Sequence, residues 1–190
     1  MCEVPVFYAT TEGQTRCIAQ RIAEELRSRG LDSVALDLTS REAEALPWEQ
    51  VRGAVVGASL HRGRHQSAAL YFVRAHASRL NERPSAFFSV SLSAGSANVH
   101  EVAVARDLAQ AFVARTGWHP RQIACFAGRL AYTQYGFVTK RLMRWIANKE
   151  GASTDTTQDH EFTDWAGVVR FSERMAADVR ERSETLPQPA

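Results

Sequence analysis

The chain has 190 residues, of which 45% are hydrophobic and 23% charged, and its formal net charge is +2. This length and apolar content predict one globular domain with a sizeable core, and the near-neutral charge gives no support for nucleic-acid binding. The three cysteines are scattered and form no Cys-x-x-Cys pair, so the sequence predicts neither a disulfide framework nor a metal site.

Short apolar runs alternate with helical patterns from the first residues onward, which predicts an α/β fold with a doubly wound parallel sheet of five strands. The predicted strands cover residues 4–9, 33–38, 53–58, 85–90 and 122–127, and the predicted helices cover residues 15–29, 67–80, 99–115 and 164–182. Pro5 is unusual within the first strand, since proline cannot donate to a ladder. Thr163 is the predicted N-cap of the last helix.

The domain organisation follows from this alternation. Residues 1–182 are predicted to form one domain, with an insertion at about 128–159 and a flexible tail at 183–190. The N-terminal segment has neither the basic region nor the long apolar region of an export signal. No apolar run has the length of a membrane span. Both observations predict a cytoplasmic location.

The junction between the first strand and the first helix carries the most informative motif. Its residues are Thr10, Thr11, Glu12, Gly13, Gln14 and Thr15. Hydroxyls and backbone amides at a helix N-terminus suit a phosphate, and a glycine permits close approach of the backbone. The motif lacks the lysine of a P-loop and the glycine spacing of a dinucleotide fingerprint, which favours a single terminal monophosphate. The same pattern also begins an ordinary capped helix.

Two further loops strengthen the ligand interpretation. Residues 59–65 and 91–97 follow the third and fourth predicted strands, and both loops should emerge at the carboxyl edge of the sheet. Ligands of open α/β sheets bind in the crevice at that edge, near the topological switch point. A planar ring would fit between these loops.

Residues 8–15 resemble the FMN-phosphate loop of flavodoxins. The further stretches 56–60, 84–90, 127–132, 154–156 and 162–165 are together similar to the quinone-dependent (menaquinone-dependent) protoporphyrinogen IX dehydrogenase family of bacterial haem biosynthesis. The resemblance extends from Val4 to about Ala176. It implies a flavodoxin-like sheet with strand order 2-1-3-4-5.

The resemblance also implies a cofactor and a reaction. FMN would be bound non-covalently by the residues of the phosphate loop and by Ser59, Leu60, Phe87, Ser89, Val90, Ser91, Leu92, Gly128, Tyr132 and Thr156. The enzyme would oxidise protoporphyrinogen IX to protoporphyrin IX and pass the electrons to a membrane quinone, menaquinone or ubiquinone. The flavin itself would carry the redox chemistry, so no catalytic side chain is assigned.

A cluster of basic residues follows the third predicted strand. Its members would form a cationic rim that receives the propionates of the substrate: His61, Arg62, Arg64 and His65. The alternative is a solvated loop without a ligand.

Residues 136–149, within the insertion, read as a cationic amphipathic helix. Leu142, Trp145 and Ile146 share its apolar face, and no acidic residue occurs from Arg129 to Asn148. This pattern suits the surface of an anionic bilayer, so the protein is predicted to associate peripherally with the inner face of the cell membrane. The alternative is a helix that packs on its own domain.

Three other functions remain open from the sequence. A flavodoxin-type electron carrier would usually be strongly acidic, in contrast to the charge of +2 found here. An NAD(P)H:quinone reductase of the same fold needs no second nucleotide motif. A domain of this fold that has lost FMN would serve only in interactions.

Overall fold

A computed structural model describes residues 2–130 and 160–185. The strands are β1 (Val6–Ala9), β2 (Ala35–Asp37), β3 (Ala54–His61), β4 (Arg64–His65), β5 (Ser85–Ser91), β6 (Gln122–Ala127), β7 (Arg129–Leu130) and β8 (His160–Glu161). The helices are α1 (Gln14–Ser28), α2 (Arg41–Glu44), α3 (Ser67–Asn81), α4 (Val99–Ala114) and α5 (Trp165–Thr185). The amphipathic helix predicted at 136–149 lies outside the described residues.

The main sheet has the strand order β2-β1-β3-β5-β6, with every neighbouring pair parallel. This confirms the predicted flavodoxin-like order 2-1-3-4-5, with β4 as an additional short strand that pairs with β3 alone. Parallel neighbours need crossover connections, and the chain supplies helices for them. The carboxyl ends of β1, β3, β5 and β6 therefore meet at one edge of the sheet.

Two apolar clusters lie on opposite faces of the sheet. Ile18 and Ile22 of α1 pack with Phe171 and Met175 of α5 on one face. The other face holds residues of α3 and α4, among them Val73 and Phe112. Helices on both faces exclude water from the central strands, whose residues are therefore apolar with little alternation.

Gly57 occupies the centre of β3, where a side chain has no room. A Cβ atom at this position would lie 2.0 Å from the ring of Phe88 on the neighbouring strand β5. The small residues of this predicted strand therefore reflect the packing of a large ring beside it.

The first strand begins one residue after Pro5. The carbonyl of Pro5 accepts a hydrogen bond from the amide of Val55 at 3.0 Å. On the side of β2, the amides of Val4 and Val6 donate to the carbonyls of Asp32 and Val34. The missing N–H of the proline thus removes none of these bonds, which resolves the oddity in the sequence.

The prediction of a polar loop at 59–65 is wrong, because these residues form strands joined by a tight turn. The strand β3 continues through Leu60 and His61 and turns back into β4 as an antiparallel hairpin. Arg62 and Gly63 form the turn with φ of 50° and 75°, the left-handed pair that favours a tight two-residue connection. Residues 61–64, called the cationic turn below, are therefore held by a ladder.

The strands β7 and β8 bracket the residues predicted to form the insertion. Arg129 pairs with Glu161 and Leu130 pairs with His160, in an antiparallel ladder. The two ends of the intervening segment therefore lie side by side. Within the described part of the chain, no helix is both long and apolar enough to cross a bilayer.

Candidate functional site

The predicted phosphate loop lies between β1 and α1. Gly13 precedes the helix with a left-handed φ of 89°, and its amide donates to Thr10 Oγ1 at 2.9 Å. The amide of Cys17 donates to the carbonyl of Gly13 at 3.2 Å, which places Gly13 at the N-cap position. The amides of Thr15 and Arg16 in the first turn consequently have no intrahelical acceptor, and they contribute to the positive end of the helix dipole.

The hydroxyl of Thr15 is the clearest sign of an absent ligand. Thr15 is 1% exposed, and its Oγ1 is the one buried side-chain polar atom without a hydrogen-bond partner in the described part of the chain. Leaving a buried hydroxyl unsatisfied costs about 1–3 kcal/mol. A ligand acceptor beside the loop would remove that penalty.

The phosphate loop meets the end of β3 directly. Thr11 Oγ1 lies 3.5 Å from Ser59 Oγ, and Gln66 Nε2 donates to Ser59 Oγ at 3.0 Å and also to Thr11 Oγ1. Thr11 and Ser59, which are far apart in sequence, are thus brought together. Glu12 is exposed beside them, and Leu60 is half-buried.

The ends of β5 and β6 form the next part of the same edge. The amide of Gly128 donates to the carbonyl of Ser91 at 3.1 Å, and Ser91 Oγ accepts from the amide of Ala94 at 3.1 Å. Val90 is buried, whereas Leu92 is 40% exposed at the mouth of the crevice. Ser91, Leu92 and Gly128 are therefore grouped at the edge, as predicted for a ring-binding loop.

The side chains of Phe87 and Ser89 do not reach this edge of the sheet. Phe87 is 0% exposed and stacks on Phe112 with the ring centroids 4.8 Å apart. Ser89 Oγ is paired with His65 Nε2 at 2.8 Å beneath the hairpin. Because successive residues of a strand face opposite sides of the sheet, residues two apart share a face, and both side chains point into the core beside α4.

Thr163 has a different role from the predicted helix cap. Its hydroxyl donates to the carbonyl of Ala127 at 2.9 Å and accepts from Gln14 Nε2 at 2.9 Å. Asp164 supplies the cap instead, since its Oδ1 accepts from the amide of Gly167 at 2.9 Å. The prediction for Thr163 was wrong by one residue, and this threonine joins the start of α1 to the end of β6.

The cationic turn projects from the carboxyl edge. His61, Arg62 and Arg64 are all exposed. The remaining predicted site residues, Tyr132, Leu142, Trp145, Ile146 and Thr156, lie outside the described residues.

His65 anchors the hairpin, and its predicted place in the exposed cationic rim is therefore wrong. Its ring packs against Phe112 with the centroids 4.9 Å apart, in addition to its bond to Ser89. Burial, with a smaller contribution from the charge of Arg115, lowers the pKa of His65 to about 4. The ring is therefore neutral at physiological pH.

The fold and the loop together define a flavodoxin-like domain, a class of α/β protein with a flavin cofactor. The sequence profile of the flavodoxin domain family matches residues 5–157. A flavodoxin of Streptococcus pneumonia TIGR4 superposes with a TM-score of 0.54 and 14% identity, covering 94% of this chain and 98% of its own. The oxidised Flavodoxin 2 of Bacillus cereus superposes with a TM-score of 0.52 and 14% identity, covering 95% of this chain and 99% of its own.

Curated relatives narrow this class. The protoporphyrinogen IX dehydrogenase (quinone) of Escherichia coli K12 is 33% identical over 171 residues, which cover 90% of this chain and 93% of the relative. The protein of the same name from Leishmania major is 30% identical over 190 residues, covering 97% and 81%. The chain belongs to the family of quinone-dependent protoporphyrinogen IX dehydrogenases.

Replacing Gly13 should weaken flavin binding by more than its effect on the stability of the fold explains. Gly13→Ala forces an L side chain into a left-handed φ of 89°, which should cost about 1 kcal/mol of unfolding free energy and distort the loop. Gly30→Ala, at a φ of 78° after the end of α1, should cost a similar amount. Only Gly13→Ala should weaken flavin binding, as measured by titration of flavin fluorescence. Equal flavin affinity in the two variants would contradict this role.

Proposed function

We propose that the protein uses FMN to oxidise protoporphyrinogen IX to protoporphyrin IX, with a membrane quinone as the acceptor. The observation that carries the proposal is the buried, unpartnered hydroxyl of Thr15 at the start of α1. It supports a phosphate ligand in a chain whose relatives carry this activity in their names.

The residues of the loop fit a phosphomonoester. Thr15 Oγ1 and the backbone amides of Thr15 and Arg16 would donate to its oxygens, and Gly13 leaves the backbone open towards it. Thr10, Thr11, Glu12 and Gln14 complete the loop. The loop has neither the lysine of a P-loop nor the glycine spacing of a dinucleotide fingerprint, which favours the terminal phosphate of FMN over the diphosphate of a nucleotide.

The flavin ring would lie along the carboxyl edge. Ser59 and Leu60 would border it on one side, and Val90, Ser91, Leu92 and Gly128 would border it on the other. Tyr132 and Thr156 remain proposed contacts from the family resemblance. When bound, FMN supplies the acceptance and release of electrons and protons, and the protein places the ring.

The surface beside the proposed flavin site offers both apolar and basic side chains, which would suit the apolar macrocycle and the anionic propionates of a porphyrinogen. Leu92 is exposed there, and Val99, the first residue of α4, is 82% exposed. These apolar side chains would contact the macrocycle, whereas His61, Arg62 and Arg64 would attract its propionates. The six electrons and six protons removed from the macrocycle would pass in pairs to three quinone molecules and give three quinols.

The quinone requires access to a membrane. The residues Leu142, Trp145 and Ile146 would lie on the membrane side, with the basic residues of 136–149 contributing about 1 kcal/mol each near an anionic surface. We propose a cytoplasmic protein bound peripherally to the inner face of the cell membrane. Vesicle flotation with Leu142→Asp and Trp145→Asp tests this placement, and unchanged binding would remove it.

The whole proposal is tested in one anaerobic experiment. Purified protein is first titrated with FMN and examined for a visible flavin spectrum. Protoporphyrinogen IX and a quinone are then added, and porphyrin fluorescence is followed. Bound flavin with porphyrin formation is expected. Bound flavin without porphyrin formation would instead support the electron carrier or the NAD(P)H:quinone reductase.

Reversing the charge of the cationic turn should weaken substrate binding selectively. Arg62→Glu with Arg64→Glu should raise the KM for protoporphyrinogen IX about tenfold, with less effect at high salt, because screening weakens exposed charges. The kcat and the FMN affinity should stay close to those of the wild type. Arg174→Glu, which changes an exposed arginine hydrogen-bonded to Gln122 at the opposite edge, serves as the control. An unchanged KM would contradict the proposed rim.

A further inference from the structure

Gln66 joins three segments that converge beside the phosphate loop. It follows β4 directly, and its Nε2 donates to Ser59 Oγ at 3.0 Å and to Thr11 Oγ1. These two hydroxyls belong to the end of β3 and to the loop between β1 and α1. Gln66 makes no side-chain cap bond to α3, which it precedes. Its amide is therefore committed to the crevice and not to the helix.

The hairpin fixes the position of this amide. His65, the preceding residue, is hydrogen-bonded to Ser89 at 2.8 Å and packed on Phe87 and Phe112. The short ladder of β3 with β4 holds the other side of the hairpin. Gln66 therefore follows a half-buried residue that packing and a hydrogen bond hold in place.

The bonding pattern determines the direction in which the two hydroxyls donate. A side-chain amide nitrogen has two N–H groups, and here each finds one hydroxyl oxygen. Each hydroxyl thereby receives a hydrogen bond on its oxygen. Thr11 Oγ1 and Ser59 Oγ lie 3.5 Å apart, so at most one of their two protons is shared between them and the other is left for a further acceptor. Since Thr11 and Ser59 border the crevice, that acceptor would be a ligand group.

We propose that Gln66 is a positioning residue that presents Thr11 and Ser59 as hydrogen-bond donors to the cofactor. The Thr11 hydroxyl would be directed at the phosphate of the proposed FMN, and the inference rests on that part of the proposed function. Gln66 does not itself touch the phosphate under this proposal. It acts on the ligand through the polarity of its two neighbours.

Gln66→Met tests this by comparing FMN with riboflavin, which lacks the phosphate. Methionine keeps the length of the side chain but donates no hydrogen bond, so the hydroxyls are free to rotate. The affinity for FMN should fall about tenfold, equivalent to one charge-assisted hydrogen bond. The affinity for riboflavin should change less than about twofold, on the same scale. Both are measured by flavin fluorescence, with Gln110→Met on the exposed surface of α4 as the control.

A double-mutant cycle separates this role from a general loosening of the site. In a Thr11→Val background, Gln66→Met should produce no further loss of discrimination between FMN and riboflavin. A full loss in that background, or an equal loss for both ligands, would overturn the proposal. Thermal melts confirm that each variant is folded. Wild-type protein that binds no FMN would overturn the cofactor proposal itself, whereas tight binding unaffected by Gln66→Met would overturn only the role of Gln66.

Discussion

Thr15→Val should make the cofactor-free protein more stable while making it bind FMN less tightly. Valine has nearly the shape of threonine, so the packing at this buried position is kept. The substitution removes a hydroxyl that has no partner, which should raise the unfolding free energy by about 1 kcal/mol or more. It also removes a donor to the phosphate, worth about 1.5–3 kcal/mol, and thus lowers the affinity by tenfold or more.

Thr116→Val is the matched control because Thr116 is also a buried threonine. Its hydroxyl donates to the carbonyl of Val113 at 2.7 Å and accepts from the amide of Trp118 at 3.3 Å, in the loop after α4. Its removal should lower the unfolding free energy and leave FMN affinity unchanged. Denaturant unfolding of the cofactor-free proteins and FMN titrations give both quantities. A destabilised Thr15→Val with unaltered FMN binding would show that Thr15 serves the core alone.

The fold was predictable because its elements carry strong local signals. The predicted strand at Gln122–Ala127 has the observed bounds, and the helix predicted at 67–80 ends one residue later in the structure. The hairpin after β3 was not predictable in the same way. Its turn places Arg62, a residue without any particular preference for the left-handed region, at a φ of 50°. The ladder that stabilises this conformation is a tertiary effect.

The sequence predicted the site residues that lie at strand ends, at the carboxyl edge of the sheet. It did not predict which face of the sheet the side chains within a strand point to. Thr11 follows β1, and Ser59 lies near the end of the neighbouring strand β3, so their proximity follows from the topology. Phe87 and Ser89 were assigned through the resemblance of a whole strand, but alternation places their side chains in the core. Gln66 was missed because its contact with Thr11 spans 55 residues and leaves no local pattern.

His65 should make the stability of the protein depend on pH between its unfolded and folded pKa values. Its pKa is 6.5 in the unfolded chain and about 4 in the folded protein, because burial disfavours the charged ring. Between these values the unfolded state binds the proton and the native state does not, so stability falls as the pH is lowered from 6.5 towards 4. The difference between the two pKa values corresponds to about 3 kcal/mol.

His65→Gln should remove most of that dependence. Glutamine can still hydrogen-bond to Ser89 but does not titrate, so the difference in unfolding free energy between wild type and variant should shrink by about 3 kcal/mol from pH 7 to pH 4. His76, whose pKa is lowered by burial and by Arg79, is present in both proteins and cancels. His119→Gln, at an exposed position, is the control for replacing a histidine by glutamine. Parallel curves of unfolding free energy against pH for wild type and His65→Gln would mean that the protonated ring becomes solvated in the folded protein. Burial of His65 would then not hold the hairpin in place.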